Sequence, residues 1–247
     1  MDKVVYIAMS GARENMYAQQ AHANNLANAN TTGFKADLSQ ARAMQVFGEG
    51  YDSRVYAMTE RPATDRTPGT FIETGRSLDV AIDAGGWLAV RTPDGGEAYT
   101  RSGELQIDAA NRLVTGSGLP VMGNGGIPIV IPPAEKIDIG GDGTITIRPL
   151  GENAVELAVV DQIKMVSLDN ATSYKGEDGL MHVDGNLIQP PNLTMKLNSG
   201  YLESSNVNAV AELTSIISLS RQFEMNIKMM KNAEENSTAA TKILELG

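Results

Sequence analysis

The chain has 247 residues, of which 42% are hydrophobic and 20% charged, with a formal net charge of −10 and no cysteine. At roughly 100–200 residues per domain this is one or two domains with a real core, and the apolar content argues against a fully disordered chain. The acidic balance argues against a nucleic-acid backbone as main partner, because phosphates are met by clustered Lys and Arg, and the missing cysteines remove disulfide, thiol-nucleophile and cysteine–zinc chemistry together.

The charge is unevenly placed. Residues 1–46 carry four basic and three acidic side chains, residues 201–247 four and six, and the middle 12 and 21. Nearly neutral ends can pack against copies of themselves, while an acidic centre keeps the molecule soluble.

The first ten residues hold only a short apolar run, Val4 to Met9, with Lys3 balanced by Asp2. No secretory signal peptide and no transmembrane segment are expected, since nothing approaches about 18 consecutive apolar residues. Helical periodicity starts at once. Val5, Met9, Ala12, Met16, Gln19, Ala23, Leu26 and Asn30 alternate steps of four and three, a heptad seam that predicts about 30 helical residues ending at Thr32-Gly33.

Residues 36–70 include Arg61-Pro62-Ala63-Thr64-Asp65-Arg66-Thr67-Pro68-Gly69, the texture of an extended connector. All ten prolines lie between Gly33 and Gly200. Within 71–200 the alternation of Leu78, Val80 and Ile82 reads as a strand, and Trp87–Val90, the turn Pro93-Asp94-Gly95-Gly96 and Glu97–Arg101 read as a hairpin. Further strands are expected at 105–108, 113–115, 127–131, 137–139, 144–147, 155–160, 163–168 and 193–197. Turn signals every 8–12 residues point to an antiparallel all-β domain.

Residues 202–246 hold neither Gly nor Pro. Leu213, Ile216, Ser220, Phe223, Ile227, Met230, Ala233, Ser237, Ala240 and Leu244 form a second seam, with one short step of the kind that locally overwinds a coiled coil. Ser205 or Asn206 is the expected cap. The predicted fold class is mixed α and β. Long N- and C-terminal helices (1–35 and 201–247) pack together as a coiled-coil-like domain, a connector spans 36–70, and an antiparallel all-β domain at 71–200 is inserted between the ends.

No catalytic, cofactor or metal constellation stands out. His22 and His182 fall in different predicted regions, and a zinc site needs three or four ligands. The chain has no Gly-Lys dipeptide for a P-loop. The Asp-Gly runs at 138–143 and 178–185 lack the carboxylate spacing of a calcium loop, and hairpin turns favour Asp-Gly for backbone reasons.

The informative stretch is Ala23-Asn24-Asn25-Leu26-Ala27-Asn28-Ala29-Asn30, closed by Gly33-Phe34. Asn is a mediocre helix former, but Ala and Asn together make a slim helix whose carboxamides can bond across a close contact. The candidate assembly interface is therefore Val5, Met9, Ala12, Met16, Ala23, Asn25, Leu26, Asn28, Gly33 and Phe34 at one end, with Leu213, Ile216, Phe223, Ile227, Met230, Ala240 and Leu244 at the other. Ends of this kind are expected to become fully ordered on docking.

At these residues the chain resembles the flagellar rod and hook protein family. The Asn-rich helix end followed by Thr31-Thr32-Gly33-Phe34-Lys35 is similar to the family's N-terminal signature, with Leu26 where Ile is usual. Thr74-Gly75, Leu78-Asp79-Val80-Ala81-Ile82 and Tyr99-Thr100-Arg101-Ser102-Gly103 resemble its central domain. Gly200-Tyr201-Leu202-Glu203-Ser204-Ser205-Asn206-Val207-Asn208, with Glu212, Arg221 and Phe223-Glu224, resembles its C-terminal signature. Gly86-Trp87-Leu88-Ala89-Val90, where distal rod members carry Gly-Phe-Phe, together with the length, resembles a proximal member.

The resemblance implies a non-enzymatic structural subunit of the bacterial flagellar basal-body rod, polymerising through its terminal helices into the drive shaft that carries torque from motor to hook. Implied partners are other copies, neighbouring rod proteins and the flagellar export apparatus, with no cofactor. The implied location is the periplasmic rod, reached by type III export without a cleaved signal. The alternatives are a distal rod subunit or an exported peptidoglycan-binding or -processing protein.

Overall fold

The computed structural model describes residues 2–39, 41–45, 55–59, 63–83, 85–149, 157–170 and 172–245. They fall into two compact units. The first, the helical unit, comprises residues 1–29, 37–65 and 207–247; the second, the β unit, comprises 30–36 and 66–206. Residues 30–36, expected with the helices, thus cluster with the strands, and most of the expected connector clusters with the helices.

In the helical unit, helix α1 spans Asp2–Ala27 and helix α2 spans Ala209–Glu245. Helix α1 is shorter than the sequence predicts. At its end the Asn28 N–H is shared between the carbonyls of Asn24 and Asn25, and the Asn28 side chain also bonds the Asn24 carbonyl at 3.0 Å. Carboxamides that compete for backbone partners end the helix before the left-handed glycine, Gly33 at φ 69°, is reached. Helix α2 starts later than predicted: its cap is Asn208, whose Oδ1 accepts the N–H groups of Val210 and Ala211 at 3.1 and 3.2 Å. Between the helices run two short antiparallel pairs, Asp37–Leu38 with Ala63–Thr64 and Ala41–Gln45 with Val55–Thr59. The expected extended connector is therefore partly strand, while its Arg61-Pro62 lies outside the described residues.

The β unit is antiparallel throughout its described strands. Its largest sheet has the order Met165–Ser167, Gly86–Arg91, Glu97–Thr100, Met181–Val183, Ser173–Lys175. A second sheet joins Ala134–Ile139, Thr144–Pro149 and Ala158–Gln162. Strand Gly86–Arg91 is buried on both faces, because Leu88 and Val90, which meet the main cluster and a smaller one respectively, alternate with Trp87 and Ala89, which share a third. The main core joins Val80, Leu105, Leu113, Ile129, Ile145 and Ile163.

Three strand expectations are corrected. Residues 127–131 form isolated bridges at Pro128 and Val130, although Ile129 and Ile131 are buried. Residues 193–194 turn, and the strand is Leu197–Ser199. The strand expected from Val155 is observed as Ala158–Gln162, and residues 150–156 lie outside the described residues. Two further pairs join distant segments, Leu197–Ser199 with Val80–Ile82 and Tyr201–Glu203 with Phe71–Glu73.

Candidate assembly interface

In the helical unit α1 and α2 pack together in antiparallel sense. Val5 shares a groove of about 480 Å³ with Ile227, Met230, Ala233 and Ser237. A Cβ on Gly11 would lie 3.2 Å from Asn226 Nδ2, so this glycine sets how close α2 comes. Gln19 Nε2 donates to Ser220 Oγ at 3.2 Å, and Glu212 receives both His22 Nδ1 and, at 3.4 Å, Asn25 Nδ2. Asn25 is buried and also bonds both backbone groups of Asp37, donating to its carbonyl at 2.9 Å and accepting its N–H at 2.8 Å. Asn25 thus stitches the helix end to the following strand within one chain.

The residues singled out by periodicity divide into two groups. Ala12 is buried, while Val5, Leu26, Asn28, Ile216, Phe223, Met230 and Ala240 are half-buried. Met9 and Met16 are 55% and 57% exposed, and Ala23, Leu213 and Ile227 are exposed as well. On α1 the water-excluded positions include Ala8, one residue before Met9. Along the heptad expected on α1, cover is therefore uneven: Ala12 is buried and Val5 and Leu26 half-buried, while Met9, Met16 and Ala23 stand in water. A stripe read from sequence cannot tell an inner from an outer apolar face when both carry Met and Ala. The Leu244 side chain lies outside the described residues.

The outer faces carry further large apolar groups. Tyr6 and Tyr17 on α1, and Val210, Ile217, Met225, Met229 and Ile243 on α2, are all exposed. The helices are thus paired with each other and still leave much apolar surface in water.

Gly33 and Phe34 belong to the β unit. A Cβ on Gly33 would lie 2.3 Å from the carbonyl carbon of Arg101, and its N–H donates to the Glu203 carbonyl at 2.8 Å. The half-buried Phe34 ring lies under the Lys175 ammonium, 3.8 Å from the ring centroid, and Lys175 Nζ also donates to the Lys35 carbonyl at 2.8 Å. Both residues are engaged inside the subunit, which accounts for an aromatic that the sequence leaves without a partner.

Periodicity missed the charges next to them. Lys35 Nζ donates to Glu203 Oε1 at 2.6 Å, and Arg101 Nε meets Glu203 Oε2 at 3.0 Å, with all three side chains buried. Burial lowers the Arg101 pKa, an effect opposed by the charges of Glu203 and Asp83. Burial also raises the Tyr99 phenol well above its ordinary value, and its oxygen accepts the Gln189 N–H at 3.0 Å. A second buried pair joins Lys164 to both oxygens of Glu97 at 2.6 and 2.9 Å.

Three stretches of the chain match family models. Residues 5–35 match the flagella basal body rod protein model, residues 81–147 the flagellar hook protein FlgE/F/G D1 domain, and residues 198–243 the flagellar basal body rod FlgEFG protein C-terminal model. Along its full length the chain is 38% identical to the flagellar basal-body rod protein FlgF of Escherichia coli (strain K12) and 36% identical to that of Salmonella typhimurium (strain LT2), in both cases covering the whole relative. It is also 32% identical to the flagellar basal-body rod protein FlgG of Agrobacterium fabrum, over 96% of this chain and 99% of the relative. The chain belongs to the flagellar basal-body rod protein family. Each of the three matched stretches supplies one member of the buried charge cluster: Lys35, Arg101 and Glu203.

Proposed function

We propose that the chain is a structural, non-enzymatic subunit of the bacterial flagellar basal-body rod, of the FlgF type, that joins copies of itself and neighbouring rod proteins through α1 and α2. The labour divides between a helical unit that assembles and a β-rich unit that folds on its own core. The carrying observation is the outer apolar stripe of Tyr6, Met9, Met16 and Tyr17 on α1 with Val210, Leu213, Ile217, Met225 and Met229 on α2, left in water by the helix pair. Exposed apolar surface of this extent marks an interaction site, and repeated heterologous contacts build an open helical shaft. In such a shaft the helices continue into coiled-coil-like packing between subunits, and the shaft transmits torque from motor to hook.

The same reading places the protein in the periplasmic rod after passage through the flagellar export apparatus without a cleaved signal. No helix among the described residues is long and apolar enough to cross a membrane. The 32% identity to a FlgG protein supports a distal rod position as the second reading.

Expression in a motile bacterium lacking its own FlgF-type protein tests the proposal. The chain should restore swimming and co-purify with basal bodies. Ile216→Asp and Phe223→Asp should abolish both while the Trp87 emission of the β unit stays native. Normal swimming of either variant would sink the reading.

A further inference from the structure

The chain passes between its two units four times, at residues 29–30, 36–37, 65–66 and 206–207. Within the β unit the segments next to these passages are sewn to one another. The Ala36 N–H donates to Asn206 Oδ1 at 2.8 Å, and Asn206 Nδ2 donates to the Thr67 carbonyl at 3.2 Å. Lys35 Nζ reaches the same Thr67 carbonyl at 2.7 Å, and the Gly69 N–H donates to Glu203 Oε1 at 2.9 Å. A Cβ on Gly69 would sit 2.0 Å from the Ser204 carbonyl oxygen, so the two backbones touch where only glycine fits. The Thr70 N–H donates to Ser204 Oγ at 3.0 Å.

At the centre, two cations and one anion are removed from water, each side chain at most 2% exposed. Arg101 is held further by the carbonyls of Ile82 and Gly86 at 3.1 and 2.7 Å, and its guanidinium carbon lies 5.8 Å from the ring centroid of Trp87. Buried charge is tolerated only when it is paired and bonded, so Glu203 is the member whose loss costs most: it leaves two cations buried together. Loss of Lys35 leaves one cation facing one anion.

We propose that Glu203, Lys35 and Arg101 form an ionic clasp that makes residues 30–36, 66–70 and 203–206 a single cooperative element, holding the chain passages to the helical unit in one place. The clasp stands independently of the rod reading.

Hydrogen exchange on the purified full chain tests it, comparing the parent with Glu203→Gln, Lys35→Met and the double variant. In Glu203→Gln the amides of Gly33, Ala36 and Gly69 should exchange at least tenfold faster together, while those of Ile145 and Ile147 in the core sheet keep their protection. Trp87 emission should change as Arg101 is released. Lys35→Met should loosen the same amides less, and the double variant should fall between the two. Ala36 decides the matter, because its amide bonds Asn206 and not Glu203. Protection lost at Gly69 with Ala36 unchanged would overturn the proposal, as would no change anywhere or greater damage from Lys35→Met than from Glu203→Gln. If Glu203→Gln fails to fold, Lys35→Met carries the test: joint loosening at Gly33, Ala36 and Gly69 with Ile145 protected supports the clasp, and any other pattern defeats it.

Discussion

In the β unit Val80, Leu88, Leu105, Leu113, Ile129 and Ile145 are wholly excluded from water. On the helices of the helical unit the buried apolar side chains, among those described, are two alanines, Ala8 and Ala12. The two regions belong to one chain and differ in where they find their core. The β unit closes its own, with strand Gly86–Arg91 covered on both faces. A 37-residue helix extends about 55 Å at 1.5 Å per residue, and the 26 residues of α1 can cover only part of it on one side. Long helices take most of their stability from packing of a whole face, and among the described residues this pair leaves apolar side chains of both helices exposed.

The contrast can be broken or sharpened by substitution. Leu88→Ala should cost the β unit about 2–5 kcal/mol through an unfilled cavity. Urea unfolding followed by Trp87 emission measures it, and a loss under 1 kcal/mol would mean that this unit is not closed on its own core. Gly33→Ala combines a left-handed backbone with a collision against Arg101, and should cost more than about 1 kcal/mol in the same assay. Removing the α2 cap with Asn208→Ala should cost about 1 kcal/mol, seen as earlier thermal loss of helical circular dichroism with the Trp87 transition unmoved.

Ile217→Lys, on the outer face of α2, should shift subunit stability by less than about 0.5 kcal/mol and yet block incorporation into basal bodies. A destabilised subunit would show that Ile217 belongs to an inner face after all.

The smallest effect concerns acid. The carboxylates of Asp108 and Asp142 are held below the usual range, chiefly by the N–H groups of Arg112 and Thr144 respectively. A depressed folded pKa means that their stabilisation is present above the unfolded value of about 3.9 and is lost as pH falls through the folded value. Asp108→Asn should therefore flatten the acid dependence of the β unit's stability below about pH 4, and an unchanged acid profile would remove Asp108 as a contributor.

Much of the fold is written in local pattern. The hairpin around Pro93-Asp94-Gly95-Gly96 follows from turn chemistry, with the Thr92 N–H bonding the Gly96 carbonyl at 2.9 Å. The strand at Leu113–Thr115 likewise follows from its own residues. The pairings of Phe71–Glu73 with Tyr201–Glu203 and of Val80–Ile82 with Leu197–Ser199 were not legible, because three-residue strands carry too little alternation and their partners lie more than a hundred residues away. Of the residues spaced along α2, Ile216, Phe223 and Met230 are half-buried while Leu213 and Ile227 are exposed, a split that spacing does not foresee. On α1 the same spacing takes in buried Ala12 and exposed Met9 and Met16, because spacing fixes a stripe but not how far a partner covers it.

By itself, the sequence determined that the ends are long helices, that the middle is antiparallel β, and that three separated motifs share one family pattern. Periodicity and turn residues act over a few positions, and those features are local. Only the tertiary structure decided that Lys35, Arg101 and Glu203 meet, that Gly33 and Phe34 serve the interior of the subunit, and which helix faces remain in water. Ion pairing across 168 residues, exclusion of a Cβ by a distant carbonyl and the inside of a helix pair are properties of packing, and no run of neighbouring residues encodes them.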